Sequence, residues 1–183
     1  MGAVGYIRNW TIFLKKYNHW RFLLAEVNKI VYLSSYLKHQ NSQDRNQAMH
    51  HAAKWLIHSM TTGKDAGSST FYFNTSWTSS YPETTGYIIP TLLRYSSTTD
   101  SAWSVESKQA AVAAGKWLLS IQHADGGWPG GYVHQDRPSV VFNSGQILRG
   151  LHALHRVDQS EDWKGAAKRC IDWIWEQLDD QGR

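Results

Sequence analysis

The chain repeats itself, and the repeat limits what it can fold into. AAKWLI at 52–57 is followed by TTGYIIPTL at 84–92, and AAGKWLL at 113–119 is followed by NSGQILRGL at 143–151. A third block, AAKRCIDWIW, occupies 166–175. Trp55, Trp117 and Trp173 lie 62 and 56 residues apart. Ala48, Ala110 and Ala166 stand two helical turns before them, and Ala52, Ala114 and Cys170 stand three residues before. Small residues at those offsets share the tryptophan's helix face and let a neighbouring helix come close. The second half of each unit carries [ST]-G-x-I-[IL]-x-x-L, at Thr85–Leu92 and Ser144–Leu151, with Gly86 and Gly145 separated by 59. A period near 60 made of helix, loop and helix predicts a stack of α/α hairpins.

The expected helices run about 45–60, 85–97, 104–122, 140–156 and 160–178, with Ser160 as a cap and Glu161 and Asp162 placed against the last helix's dipole. Only Phe71–Phe73 reads as extended, so the fold class is all-α. The loops at 61–83 and 123–138 are long, and long loops on a rigid scaffold are where function concentrates. Trp55, Trp117 and Trp173 are expected in the hairpin core, and Gly86 and Gly145 at close helix approaches or tight helix entries.

Charge divides the chain at a polar linker, 39–46. Residues 1–40 hold Arg8, Lys15, Lys16, Arg21, Lys29 and Lys38 against Glu26 alone, a surplus larger than the whole chain's +4. The repeat region is therefore slightly acidic, which speaks against nucleic acid as a partner. Two domains are expected: a basic helical segment and linker at 1–43, and the repeat domain at 44–183. Within 7–38, Trp20, Leu23, Leu24, Val27, Ile30, Val31 and Leu37 form a broad apolar stripe. Such a helix packs on the domain; its basic side also allows weak contact with an anionic membrane surface. No signal peptide and no membrane-spanning run is evident, so a cytoplasmic location is expected. The single Cys170 rules out an internal disulfide and matches alanine in the other copies. His50, His51 and His58 lack a carboxylate at metal-ligand spacing, so neither metal nor cofactor is expected.

Ten tryptophans and nine tyrosines exceed what a core of this size needs, and suit a groove that stacks on sugar rings. Trp77, Tyr81, Trp128 and Tyr132 are the candidate platforms, with His134 and Arg137 beside them as further binding residues. Glu83, Asp125 and Asp136 are the candidate catalytic carboxylates. Glycoside hydrolysis needs one protonated carboxyl to donate to the leaving oxygen and a second to activate water. Each has a plainer role: Glu83 can complement a helix dipole, Asp125 can bond its own turn, and Asp136 can sit on the surface.

Gln122-x-x-x-Gly126-x-Trp128 resembles the QW motif of squalene and terpenoid cyclase α/α toroids, where the glutamine caps a helix end and the tryptophan packs on the next turn. The run WTSSYPETTGYIIPTL at 77–92, taken with FNSGQILRGL at 142–151, is similar to a bacterial α/α-toroid family often encoded with exopolysaccharide genes. That family shares its fold with six-hairpin glycosidases and terpenoid cyclases. The resemblance covers about 44–183 and implies part of an (α/α)6 ring with its site at one mouth. It implies a carbohydrate-active, glycosidase-like protein of polysaccharide metabolism with a polysaccharide or oligosaccharide as partner. A non-catalytic glycan-binding or assembly module, or an isoprenoid-binding cyclase relative, are the alternatives. The chain lacks a D-x-D-D acid motif and an Asp/Cys/His zinc set. Gly182 takes the register of Gly126, which predicts tryptophan at the position after Arg183, a ring cut short, and self-association through exposed hairpin faces.

Overall fold

The computed structural model describes residues 42–72, 76–98 and 102–182, together with Leu24, Val27 and Asn28, which are helical and exposed. The basic amphipathic helix expected over 7–38, with its membrane contact, otherwise lies outside the described residues, as does Phe73. The chain divides into two units, 1–50 with 71–77, and 51–70 with 78–183.

Helix α1 spans Ser42–Thr61, α2 Pro82–Ser96, α3 Ala102–Ser120, α4 Val141–Asp158 and α5 Glu161–Glu176. Strands β1 (Ser69–Tyr72) and β2 (Ser76–Ser80) pair between α1 and α2. Among the described residues the protein is thus mostly helical, as expected, with one small two-stranded hairpin where the sequence reads only Phe71–Phe73 as extended. Serine, threonine and aromatic residues fill both strands, and threonine and the aromatics favour extended backbone.

Short connections, 97–101 and 159–160, join α2 to α3 and α4 to α5. Long loops, 62–81 and 121–140, lead into α2 and α4. Each long loop is stitched to the helix it feeds in the same way. The Ser68 amide donates to Thr85 Oγ1 at 2.8 Å, and the Trp128 amide donates to Ser144 Oγ at 2.9 Å. The Tyr81 amide reaches the Ser68 carbonyl at 2.9 Å, and the Val140 amide reaches the Trp128 carbonyl at 3.1 Å. Asp65 Oδ1 accepts from the Gly67 amide and the Ser80 hydroxyl; Asp125 Oδ1 accepts from the Gly127 amide and the Ser139 hydroxyl. The residue between aspartate and glycine has positive φ in both loops, +62° at Ala66 and +100° at Gly126. The two hairpins are one design used twice.

The glycine of each D-x-G turn explains the repeated tryptophan. A Cβ on Gly67 would stand 2.5 Å from the Trp117 ring, and one on Gly127 would stand 3.0 Å from the Trp173 ring. Trp117 and Trp173 are accordingly buried. Trp55 is not: it is 51% exposed, which corrects its expected core placement. In α1 the buried apolar residues are Ala53, Ile57 and Met60, at i, i+4 and i+7, and Trp55 lies about 140–160° round the helix from them at 100° per residue. No D-x-G turn precedes it among the described residues.

The core of the larger unit runs through Ile89 and Leu92 of α2, Ala114 and Leu118 of α3, Ile147, Leu151 and Leu154 of α4, and Trp163 and Cys170 of α5. Helix α2 packs on both α3 and α4, and α4 on α5. Contact between α2 and α4 is backbone-close: a Cβ on Gly86 would lie 2.6 Å from Ile147 Cα, and one on Gly150 would lie 2.5 Å from the Gly86 carbonyl oxygen. Pro90 stands inside α2 and has no N–H to offer that carbonyl, so it faces Gly150 instead. Gly86 therefore does allow close approach. Gly145 does not, because nothing lies within 4 Å of its Cβ position. Its matched position in sequence falls on a helix face turned from the contact, and Gly150 makes the approach in its place.

Candidate functional site

Tyr81, Pro82 and Glu83 form the start of α2. Tyr81 is the extended N-cap residue, Pro82 is the buried first helical residue with φ preset by its ring, and Glu83 is in the first turn. Loop 121–140 reaches this helix start. The Tyr132 ring meets the Tyr81 ring edge-on, with centroids 5.3 Å apart and planes at 79°. His134 stacks on Tyr132 at 5.9 Å and 18°. Three of the expected binding residues are thereby brought into one aromatic row. The contact also shows that both long loops meet at one end of the larger unit.

Glu83 is half-buried, and burial raises its carboxyl pKa above the ordinary 4.5. A first-turn acid is normally stabilised as the anion by the helix dipole. Here desolvation prevails, and the carboxyl keeps its proton to a higher pH than an exposed glutamate does. Asp136, exposed, ends the short 3-10 turn Val133–Gln135 in the left-handed region at φ +44°. Arg137, also exposed, lies over the turn, with its Cδ 3.2 Å from where a Gly131 Cβ would stand.

Three expected site residues have other work. Trp128 offers no face to a ligand, which corrects its reading as a platform. It is 0% exposed and its indole N–H donates to the Leu118 carbonyl at 2.8 Å, at the end of α3. Its partner in the QW-like run, Gln122, donates to the Gly126 and Ala166 carbonyls at 2.8 and 2.9 Å and accepts from Arg169. Both residues fasten the loop to the helices. Asp125 is taken up by the Gly127 amide at 2.8 Å and the Ser139 hydroxyl at 2.9 Å, as its counterpart Asp65 is by Gly67 and Ser80. Both bonds fall on Oδ1 and give Asp125 a place in the loop scaffold. Trp77 belongs to the smaller unit, where it meets Phe71 edge-on at 5.2 Å.

The second loop adds His123, whose Nδ1 lies 3.0 Å from Ser139 Oγ. The serine proton goes to Asp125, so Nδ1 must carry the hydrogen it shares with that oxygen. Gly63 holds the matching place in the first loop, where a Cβ would stand 3.3 Å from Ser80 Oγ. Ser139, Ser80 and Asp65 went unnoticed in the sequence, although D-x-G at 65–67 and 125–127 repeats at 60 residues. Cys170 is buried and its thiol is pushed up to about 12, first by desolvation and then by the charge of Asp125. It is packing, not a nucleophile.

Among the described residues no group of three or more histidine, cysteine, aspartate or glutamate side chains converges on a metal position. Nor is any described helix long and apolar enough to cross a membrane. No family model, no curated protein and no solved structure matches the chain.

Proposed function

We propose that the two hairpins belong to an α/α ring, similar to the six-hairpin glycosidases, and that their loop end is its mouth. The protein is then carbohydrate-active, with a polysaccharide or oligosaccharide bound across Tyr81, Tyr132 and His134. The observation that carries this reading is the aromatic row built on the same helix start as a carboxyl held toward its protonated form. Sugar rings present a flat C–H face to aromatic side chains and a hydroxyl edge to polar ones. Glu83 is the acid: its carboxyl proton passes to the leaving glycosidic oxygen as the bond to the anomeric carbon breaks. Water attacks that carbon and gives its proton to a second carboxylate. With Asp125 engaged in the scaffold, Asp136 is the carboxylate left for this step.

The engagement of Asp125 favours a second reading, a module that holds a glycan without cleaving it. A panel of bacterial polysaccharides, assayed for both retention and release of reducing ends, separates the two. Release that is lost in Glu83→Gln while retention persists supports the hydrolase. Retention without release by the wild type supports the module. A wild type that neither retains nor cleaves any of them ends the carbohydrate reading. Gln122 and Trp128 act in the scaffold, the role the QW resemblance gives them, so they do not separate the isoprenoid alternative from the carbohydrate one.

A further inference from the structure

The loop stitches fix which residues of α2 and α4 correspond. Thr85 matches Ser144 and Tyr81 matches Val140, each pair through the same hydrogen bonds. Glu83, two residues past its N-cap, therefore corresponds to Phe142. The sequence blocks alone hide this pairing, because an acid and a phenyl ring share no chemistry.

The start of α4 is unusual. Helix N-termini favour acids, and α2 has one, but the first turn of α4 has none. It presents apolar residues to solvent instead: Val140 at 36%, Val141 at 42% and Phe142 at 63% exposed. The matching Pro82 of α2 is buried. Next to Phe142, Asn143 is 6% exposed, and its amide Nδ2 has no hydrogen-bond partner. The Phe142 ring is thus open to solvent, while the unspent donor next to it in sequence is buried.

We propose that Phe142 is the stacking residue of the second hairpin, and that it takes the C–H face of a β-linked gluco-configured pyranose. This rests on the carbohydrate reading above and deepens it. The ring substituents of such a sugar are all equatorial, so its axial C–H groups form a flat apolar face that fits a phenyl ring, while its hydroxyls meet polar neighbours. Polar neighbours are at hand: Val140 packs on the loop turn, with its Cγ2 2.7 Å from a Cβ position on Gly130, and that loop continues into His134, Asp136 and Arg137. Glu83 and Phe142 open two neighbouring helices, which touch backbone to backbone at Gly86 and Ile147. The acid and the platform are the two versions of one position.

The test uses the full chain and cellohexaose, with binding measured by calorimetry. Phe142→Ala weakens binding about tenfold without lowering the melting temperature, and Phe142→Trp restores it. Alanine binding within twofold of wild type overturns the role of Phe142 and leaves the carbohydrate reading standing. Wild-type binding to other polysaccharides but not to cellohexaose overturns the choice of sugar. Absence of binding to any glycan removes the carbohydrate reading itself, and this inference with it.

Discussion

The hairpin of α2 and α3 and the hairpin of α4 and α5 are built on the same stitches but carry different side chains. Aspartate, glycine, serine and the helix hydroxyl recur at matching places in both loops, and their hydrogen bonds recur with them. Ser68 and Trp128 share a position, as do Gly63 and His123, Glu83 and Phe142, and Gly115 and Ile171. The shared residues solve a folding problem common to both hairpins: how to hold a long loop against the helix it enters. The differing residues are free to serve a ligand or a neighbour.

The largest expected effect separates Ser68 from Trp128. Trp128→Ala removes a fully buried indole and its bond to Leu118, and should cost about 3–5 kcal/mol in chemical denaturation. Ser68→Ala at the matched place loses one hydroxyl contact with Ser59 and should cost about 1 kcal/mol. Equal losses would mean that the two loops do not differ in the way the sizes of these two buried side chains indicate.

The two repeated glycines should respond with opposite sign. Gly86→Ala drives a methyl into the backbone of α4 and should destabilise by about 1–3 kcal/mol. Gly145→Ala meets open space inside a helix and should stabilise by about 0.5–1 kcal/mol. Melting temperatures of the two variants check this directly, and a matching sign would undo the assignment of Gly150 as the true contact.

The smallest effect concerns Glu83 and pH. Its folded pKa is raised, so its favourable contribution is complete below the ordinary 4.5 and disappears as pH climbs through the folded value. Glu83→Gln should match the wild type in acid and exceed it in melting temperature at neutral pH. Phe142→Ala, at the corresponding place, should show no such pH dependence. A Glu83→Gln variant that is less stable at neutral pH would mean that the helix dipole, not burial, governs the carboxylate.

Much of the fold was legible because it rests on periodicity. The five helix spans, the Ser160 cap and the buried Trp117 and Trp173 follow from apolar spacing and cap chemistry. Trp55 matched the pattern and still lies exposed, because its burial depends on a glycine turn rather than on its own helix. Gly145 failed for a related reason: sequence register does not report which face of a helix meets its neighbour. Within the site, the Tyr81 and Tyr132 contact joins residues 51 positions apart, and only the placement of the loops reveals it. Asp125 was readable as a turn residue from D-G-G, and Asp65 would have strengthened that reading. Phe142 was invisible until the hydrogen bonds set the register.

The division of labour between shared and differing positions has one decisive measurement. Glycan retention per folded molecule is compared for Glu83→Gln and Phe142→Ala on one side and Ser80→Ala and Ser139→Ala on the other, with melting temperature recorded for each. The account predicts that the serine variants melt earlier yet retain glycan as the wild type does. It predicts that Phe142→Ala retains less with its melting temperature unchanged, and that Glu83→Gln retains glycan without melting earlier. Serine variants that lose glycan while folded, or a Phe142 variant that retains it fully, would contradict it.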